Sequence, residues 1–334
     1  MANCDSIFKV FDEDIILHDT RRDSLKKSRK ALRNRIKEYF KEEKPDEIKP
    51  KFYGQGSFMM GIAINPIPKV VTEDGKEVSK HKYDVDDGIY FIGKESERKA
   101  VQTYHNWIWD AVDGHTDTPP VDKNTCIRVI YHDGHNIDLP IYFLVKGDDD
   151  AVPQLAHKSK SWLDSDPREF VTWFTGIADA QKKDQLRSLV RYMKAWADYQ
   201  NNSSGTSKMP PGMVMTIWAA ENACYNERDD VALRDTLQAI RDTLTDAFEC
   251  NRPTVPAGEN LLDDYKYEEY FLGRLDAFLE SAKQAVNETN QKTACGKWQT
   301  HLGPRFPCRL AEDKDMGARA YGTPAIIQEN AKSA

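Results

Sequence analysis

Long apolar runs are missing from this 334-residue chain. No stretch approaches the roughly 20 residues that span a bilayer, so no membrane partner is expected. The first 19 residues carry acids where a secretory leader would have a basic segment and an uninterrupted apolar one. A cytoplasmic protein is the expectation. Cysteine is scattered: Cys4, Cys126, Cys224, Cys250, Cys295 and Cys308 include no CxxC pair and no neighbouring histidine at ligand spacing. Neither a zinc site nor a disulfide framework is expected, and the cysteines read as small buried hydrophobes or surface thiols. Positive charge is not in excess either. Lys and Arg number 47 against 54 Asp and Glu, a net charge of −7. That balance argues against strong binding of duplex DNA. A nucleoside triphosphate is another matter, since a metal cluster and a few cations suffice to hold it.

The size allows one large domain or two lobes around a sizeable core. Residues 21–40 predict a long helix, with Leu25, Leu32, Ile36, Tyr39 and Phe40 forming its apolar stripe. Its basic face reads as solvated surface, with a rim attracting anionic substrates as the alternative. From residue 52 to about 144 the pattern turns to strands. Strands are predicted at 85–92, 127–131 and 137–145, a helix at 103–112, and a tight turn at Asp133-Gly134. The polar stretch 64–83 reads as an irregular excursion.

Asp166 is placed to cap a helix opened by Pro167. Helices are predicted at 185–200, 213–225, 230–248 and 267–287, with a flexible connection at 201–205. The expected fold is α/β (α+β): a mixed-sheet catalytic lobe over 1–165, including the long N-terminal helix, a helical lobe over 166–310, and a mobile tail over 311–334. The active-site cleft lies between the lobes.

Chemistry concentrates in Gly56-Ser57, Asp84-Val85-Asp86 and Asp138. Side chains alternate along a strand, so Asp84 and Asp86 share a face while Val85 points inward. Adjacent carboxylates repel unless a cation lies between them. Asp138 lies in a second strand able to pair beside the first. Three converging carboxylates offer the hard oxygen ligands that Mg²⁺ or Mn²⁺ takes, with two ions expected. Gly56 lets backbone approach a phosphate, and Ser57 adds a hydroxyl. A calcium loop starting at Asp84 is excluded, because its sixth position is Ile89 within an apolar run. The acidic triplet 148–150 reads as a solvated loop.

These segments, Phe52-Tyr53-Gly54-Gln55-Gly56-Ser57-Phe58, Asp84-Val85-Asp86-Asp87-Gly88 and Asn136-Ile137-Asp138-Leu139-Pro140-Ile141-Tyr142, resemble the cGAS/DncV-like nucleotidyltransferases of bacterial anti-phage signalling, most closely the DncV-like branch. The stretch 298–307 resembles a late element of the same family. The resemblance implies that Asp84, Asp86 and Asp138 bind two metal ions and that Gly56 and Ser57 hold the donor triphosphate. It places Lys194 at a phosphate-contacting position on a helix, with Arg191 as a weaker candidate.

The implied activity joins ATP and other nucleoside triphosphates into a cyclic di- or trinucleotide messenger, which acts on a separate effector protein. A ubiquitin-like transfer system acting on the C-terminus is a further implied partner. A template-free RNA or tRNA nucleotidyltransferase is the alternative enzyme reading, and an inactive nucleotide-binding scaffold the alternative of another class.

Overall fold

The computed structural model describes residues 1–73, 76–80, 83–147 and 151–315. The acidic triplet 148–150 and most of the expected tail lie outside these residues. The catalytic half is organised by two long neighbouring strands, β4 (Tyr83–Gly93) and β7 (His135–Val145), which run parallel. Both are buried along most of their length, as a strand covered on both faces must be. Around them the sheet runs β1 (Lys51–Gly54), β4, β7, β6 (Cys126–Ile130), β5 (Val121–Asp122). A further hairpin, β8 (Gln154–His157) and β9 (Ser161–Asp164), joins through β7, and every pairing except β4–β7 is antiparallel.

Helices α2 (Asp19–Glu42) and α4 (Val101–Val112) cover this sheet. Leu32, Ile36 and Phe40 of α2 and Tyr104 and Ile108 of α4 enter one core with Ile89, Phe91, Ile127, Ile137 and Ile141. The stripe expected on α2 is thus the face it buries, except that Leu25 joins a smaller cluster with Leu17 and Val85.

The second half is helical. Asp166 caps α5 (Pro167–Gly176) by accepting from the Arg168 and Glu169 N–H groups, with Pro167 opening the helix. After it come α6 (Lys183–Ser203), α7 (Gly212–Glu221), α8 (Asp229–Asp246), α9 (Glu268–Asn287) and α10 (Gln291–Leu302). All seven residues from Val214 to Ala220 are buried, which makes α7 a core helix rather than an amphipathic surface one. Trp196, Trp218, Phe271, Phe278 and Trp298 fill the space between the helices. Among the described residues no helix is long and apolar enough to cross a membrane.

Four expectations change. The chain starts with α1 (Asp5–Ile15), whose Ile7, Phe8, Phe11 and Ile15 are buried in the helical core rather than under the sheet. Residues 1–16 therefore pack with the helical lobe, although the division at 165 assigned them to the catalytic one. The excursion at 64–83 contains a separate antiparallel two-stranded sheet, β2 (Lys69–Glu73) and β3 (Lys76–Lys80). The connection at 201–205 is helical through Ser203. Cys295 and Cys308 are disulfide-bonded, with Cα atoms 5.6 Å apart, so spacing alone did not exclude a bridge.

Candidate active site

β1 ends at Gly54, and the chain turns through Gln55 into the short helix α3 (Gly56–Met60). Gly56 has φ 72°, a conformation that side-chain-bearing residues rarely adopt. A Cβ there would lie 2.6 Å from Asp86 Oδ2. Glycine is therefore required twice, by the backbone and by the closeness of the carboxylate. The Gln55 N–H donates to the Asp86 carbonyl at 3.4 Å, and the Gln55 amide reaches the Tyr142 hydroxyl at 3.2 Å. These contacts hold the Gly56-Ser57 turn against β4.

Asp86 and Asp138 are Cα partners across the parallel β4–β7 pair, and Asp84 is opposite Asn136 one step earlier. All three carboxylates therefore project from one face at the same end of the sheet. Asn136 Nδ2 donates to Asp84 at 2.8 Å. Asp86 is pushed up to about 7, first by burial and then by the charges of Asp138 and Asp84, against the opposing pull of Arg128 and Lys123.

Arg128 on β6 is the cation at this face. Its guanidinium clamps Asp138 with two hydrogen bonds of 2.7 and 2.8 Å, and the same Nη2 donates to Asp84 at 2.6 Å. Lys123 Nζ is 3.6 Å from Asp138. Arg128 was not anticipated from the sequence. The signal was available, because the turn at 132–134 sets the antiparallel register that pairs Arg128 with Asp138.

The following residue, Asp87, faces the opposite way and is fully buried. It accepts from Arg33 Nε at 2.6 Å and Nη2 at 2.5 Å, and Arg29 Nη2 is 3.2 Å away. In the run Asp84-Val85-Asp86-Asp87 the last aspartate thus anchors α2 to the sheet.

A cavity of about 480 Å³ opens beside Asp86, within the range that holds small ligands. Gln55, Gly56, Ser57, Asp86 and Asp138 line it from the sheet, and Lys194, Thr216 and Thr254 from the helical lobe. Asp84 lines a smaller adjoining depression of about 190 Å³, which shares Ser57 and Lys194 with the first. The expected cleft between lobes is therefore present; Gly56, Ser57, Asp86, Asp138 and Lys194 border it, and Asp84 borders the adjoining depression. Thr254 is a lining residue that the sequence did not suggest. Its hydroxyl is buried and has no hydrogen-bond partner among the described residues.

Three cations of α6 reach the chain that leaves α3. Arg187 Nε donates to the Met60 carbonyl at 3.2 Å, Arg191 Nη1 to Gly61 at 2.8 Å, and Lys194 Nζ to Ile62 at 3.0 Å. They satisfy carbonyls that a helix end leaves unpaired. Arg191 also grips Asp12 of α1, through Nε at 2.6 Å, and is buried. Its role as a phosphate candidate is corrected to that of a structural tie. Lys194 differs, since its ammonium borders the cavity. Burial, and secondarily Arg191, push it down to about 8.

The donor set suits a hard divalent cation: three carboxylates at one end of the sheet, beside a glycine whose missing Cβ leaves Asp86 Oδ2 open. Among the described residues, however, no three His, Cys, Asp or Glu side chains are gathered as a ready metal centre. The Arg128 guanidinium, bonded to both Asp84 and Asp138, supplies the cation seen there.

Residues 50–142 match the family described as "Cyclic GMP-AMP synthase DncV-like, nucleotidyltransferase domain". The matched segment contains Gly56, Asp84, Asp86, Arg128 and Asp138. Over this segment the chain is similar to a DncV-like nucleotidyltransferase domain. Curated relatives named cyclic GMP-AMP synthase include one from Escherichia albertii, 25% identical over 232 residues, covering 67% of this chain and 49% of the relative. Another, from Vibrio cholerae, is 24% identical over 259 residues, covering 60% of this chain and 53% of the relative. The match thus spans about half the length of these relatives.

Over most of the chain the fold is similar to that of Vibrio cholerae DncV cyclic AMP-GMP synthase. A crystal structure of that protein with nonhydrolyzable GTP superposes at TM-score 0.73 and 17% identity, covering 92% of this chain and 97% of that one. Another, with the linear intermediate 5′-pppA(3′,5′)pG, superposes at TM-score 0.73 and 18% identity, covering 94% and 99%. The DncV-like domain therefore sits on the same helical lobe as in those structures.

Proposed function

We propose that this chain joins nucleoside triphosphates into a cyclic di- or trinucleotide messenger, releasing pyrophosphate at each bond. The observation that carries the reading is the Asp86–Asp138 register across parallel strands, with Gly56 pressed against Asp86 at the floor of a two-lobed cavity. The relatives named as cyclic GMP-AMP synthases and the neighbour bound to a linear dinucleotide support it.

In this reading Gly56, Ser57 and Lys194, which all line the cavity, hold the donor triphosphate. Asp84, Asp86 and Asp138 hold Mg²⁺ or Mn²⁺. Bound there, the ions would lower the pKa of an attacking ribose hydroxyl and neutralise the leaving pyrophosphate. That hydroxyl attacks the α-phosphate of the donor, with Asp138 placed to help take its proton. Lys194 adds positive charge where the pyrophosphate leaves. The α6 contacts to residues 60–62 keep the Gly56-Ser57 turn in place relative to the helical lobe. The effector protein, the ubiquitin-like transfer partner and the anti-phage setting rest on the family resemblance.

Incubation with all four ribonucleoside triphosphates and Mg²⁺ or Mn²⁺, read by mass spectrometry, tests this function. A discrete phosphatase-resistant product, lost in Asp84→Ala, is expected. A ladder of products would replace the reading with a template-free polymerase. Nucleotide binding without pyrophosphate release would replace it with a binding scaffold.

A further inference from the structure

Two of the three candidate metal ligands already share a cation. Arg128 holds both Asp138 oxygens, at 2.7 and 2.8 Å, and extends the same Nη2 to Asp84 Oδ2 at 2.6 Å. The arrangement is built in. Arg128 stands opposite Asp138 in the β6–β7 register, and Asp84 is tied in turn to Asn136 of β7. Forked, charge-assisted contacts of this kind are both strong and directional. Asp86 has been left out of them: none of the Arg128 hydrogen bonds reaches it, and its carboxylate faces the space beside Gly56.

The arrangement has two consequences. It holds Asp84 and Asp138 in place in the nucleotide-free protein, where three bare carboxylates would repel one another. It also sets a fixed positive charge against any ion that uses the same oxygens. We infer that Arg128 is an internal counter-cation that competes with the divalent metal, releasing Asp84 or Asp138 when the metal binds. The site is then preformed without metal, and metal affinity in the absence of nucleotide is held low. A nucleoside triphosphate, bringing its own charge and phosphate oxygens, shifts the balance toward the metal. Arg128 is a positioning residue in this account, acting on the ligands and not on the reacting atoms. The inference rests on the metal-dependent reading above.

The test is Mn²⁺ binding to the nucleotide-free protein, measured by electron paramagnetic resonance on wild type, Arg128→Gln, Arg128→Lys and Asp86→Asn. Arg128→Gln is expected to bind Mn²⁺ tighter than wild type by on the order of tenfold, because a like charge beside the ion is gone. Arg128→Lys, which keeps the charge but not the fork, is expected between the two, and Asp86→Asn weaker than wild type. Equal or weaker binding by folded Arg128→Gln overturns the competition while leaving the metal site standing. Saturating Mn²⁺ bound to none of the four proteins, with or without triphosphate, overturns the metal reading and the inference with it.

A measurement on wild type alone covers the case in which Arg128→Gln does not fold. The Arg128 Nε–H signal in ¹⁵N spectra is expected to be protected from exchange without metal and to shift or broaden on adding Mg²⁺ with triphosphate. A protected signal unchanged at saturating Mg²⁺ overturns the release.

Discussion

On the face of β4 that meets α2, Asp87 is sealed from solvent and held by two arginines, Arg33 through a fork and Arg29 from the side. On the other face, one residue earlier, Asp86 shares a crowded end of the sheet with Asp84 and Asp138 and is pushed up to about 7. The side-chain chemistry is the same on both faces. The first has two cations for one carboxylate and is closed. The second has the Arg128 guanidinium and the more distant Lys123 for three carboxylates, and it opens onto a cavity. A neutralised acid fixes a helix to a sheet, whereas an under-neutralised cluster is a place for an incoming cation and its phosphate partner.

The comparison breaks most sharply at Asp86 itself. Asp86→Ala should lower product formation by about 10³-fold or more, with circular dichroism and melting temperature showing an intact fold. Asp87→Asn should do the reverse. It leaves two arginines facing a neutral amide and should cost about 3–5 kcal/mol in urea denaturation, while activity per folded molecule is largely kept. Inactive but fully stable Asp87→Asn would show that the two faces are not separated in this way.

Next in size is Gly56→Ala, where the added Cβ meets Asp86 Oδ2 at 2.6 Å and φ is 72°. A loss of about 10²-fold in kcat/KM is expected from the displaced turn, and initial rates would measure it. Lys194 sharpens the comparison through pH. Its pKa in the folded chain is about 8 against an ordinary 10.5, so it loses its charge as pH rises through 8. KM for the triphosphate should rise above that pH, by up to about tenfold per unit, and the rise should vanish in Lys194→Met. In stability the sign is opposite. Between 8 and 10.5 the unfolded chain binds the extra proton, so the penalty this group places on folding shrinks as pH rises. The smallest effect is expected at Lys123, 3.6 Å from Asp138 and partly exposed. Lys123→Gln should change initial rates by no more than about threefold.

Much of this was legible along the chain, for local reasons. The stripe on α2, the Asp166-Pro167 helix start and the strands around Asp86 and Asp138 each follow from periodicity, a cap or a turn. Other local signals were present and passed over. Ile7, Phe8, Phe11 and Ile15 lie on one helical face, and Lys69-Val70-Val71-Thr72 before Asp74-Gly75 carries the marks of a hairpin. The Cys295–Cys308 bridge could not be read from spacing, because it depends on α10 and the later segment meeting in space.

By itself, then, the sequence determined the two long parallel strands, the helical second half and the grouping of Gly56, Ser57, Asp84, Asp86 and Asp138, since alternation, glycine and carboxylate spacing act over a few residues, whereas Lys194 was placed by the family resemblance. Tertiary structure decided how those residues are used. Arg191 is drawn to Asp12, 179 positions away, and so becomes a structural tie rather than a phosphate ligand. Lys194, hydrogen-bonded to the Ile62 carbonyl, keeps a place in the cavity lining. Asp87 and Asp86 differ in role because only one of them faces α2. Charges act through space, and their neighbours in space are set when the chain closes on itself.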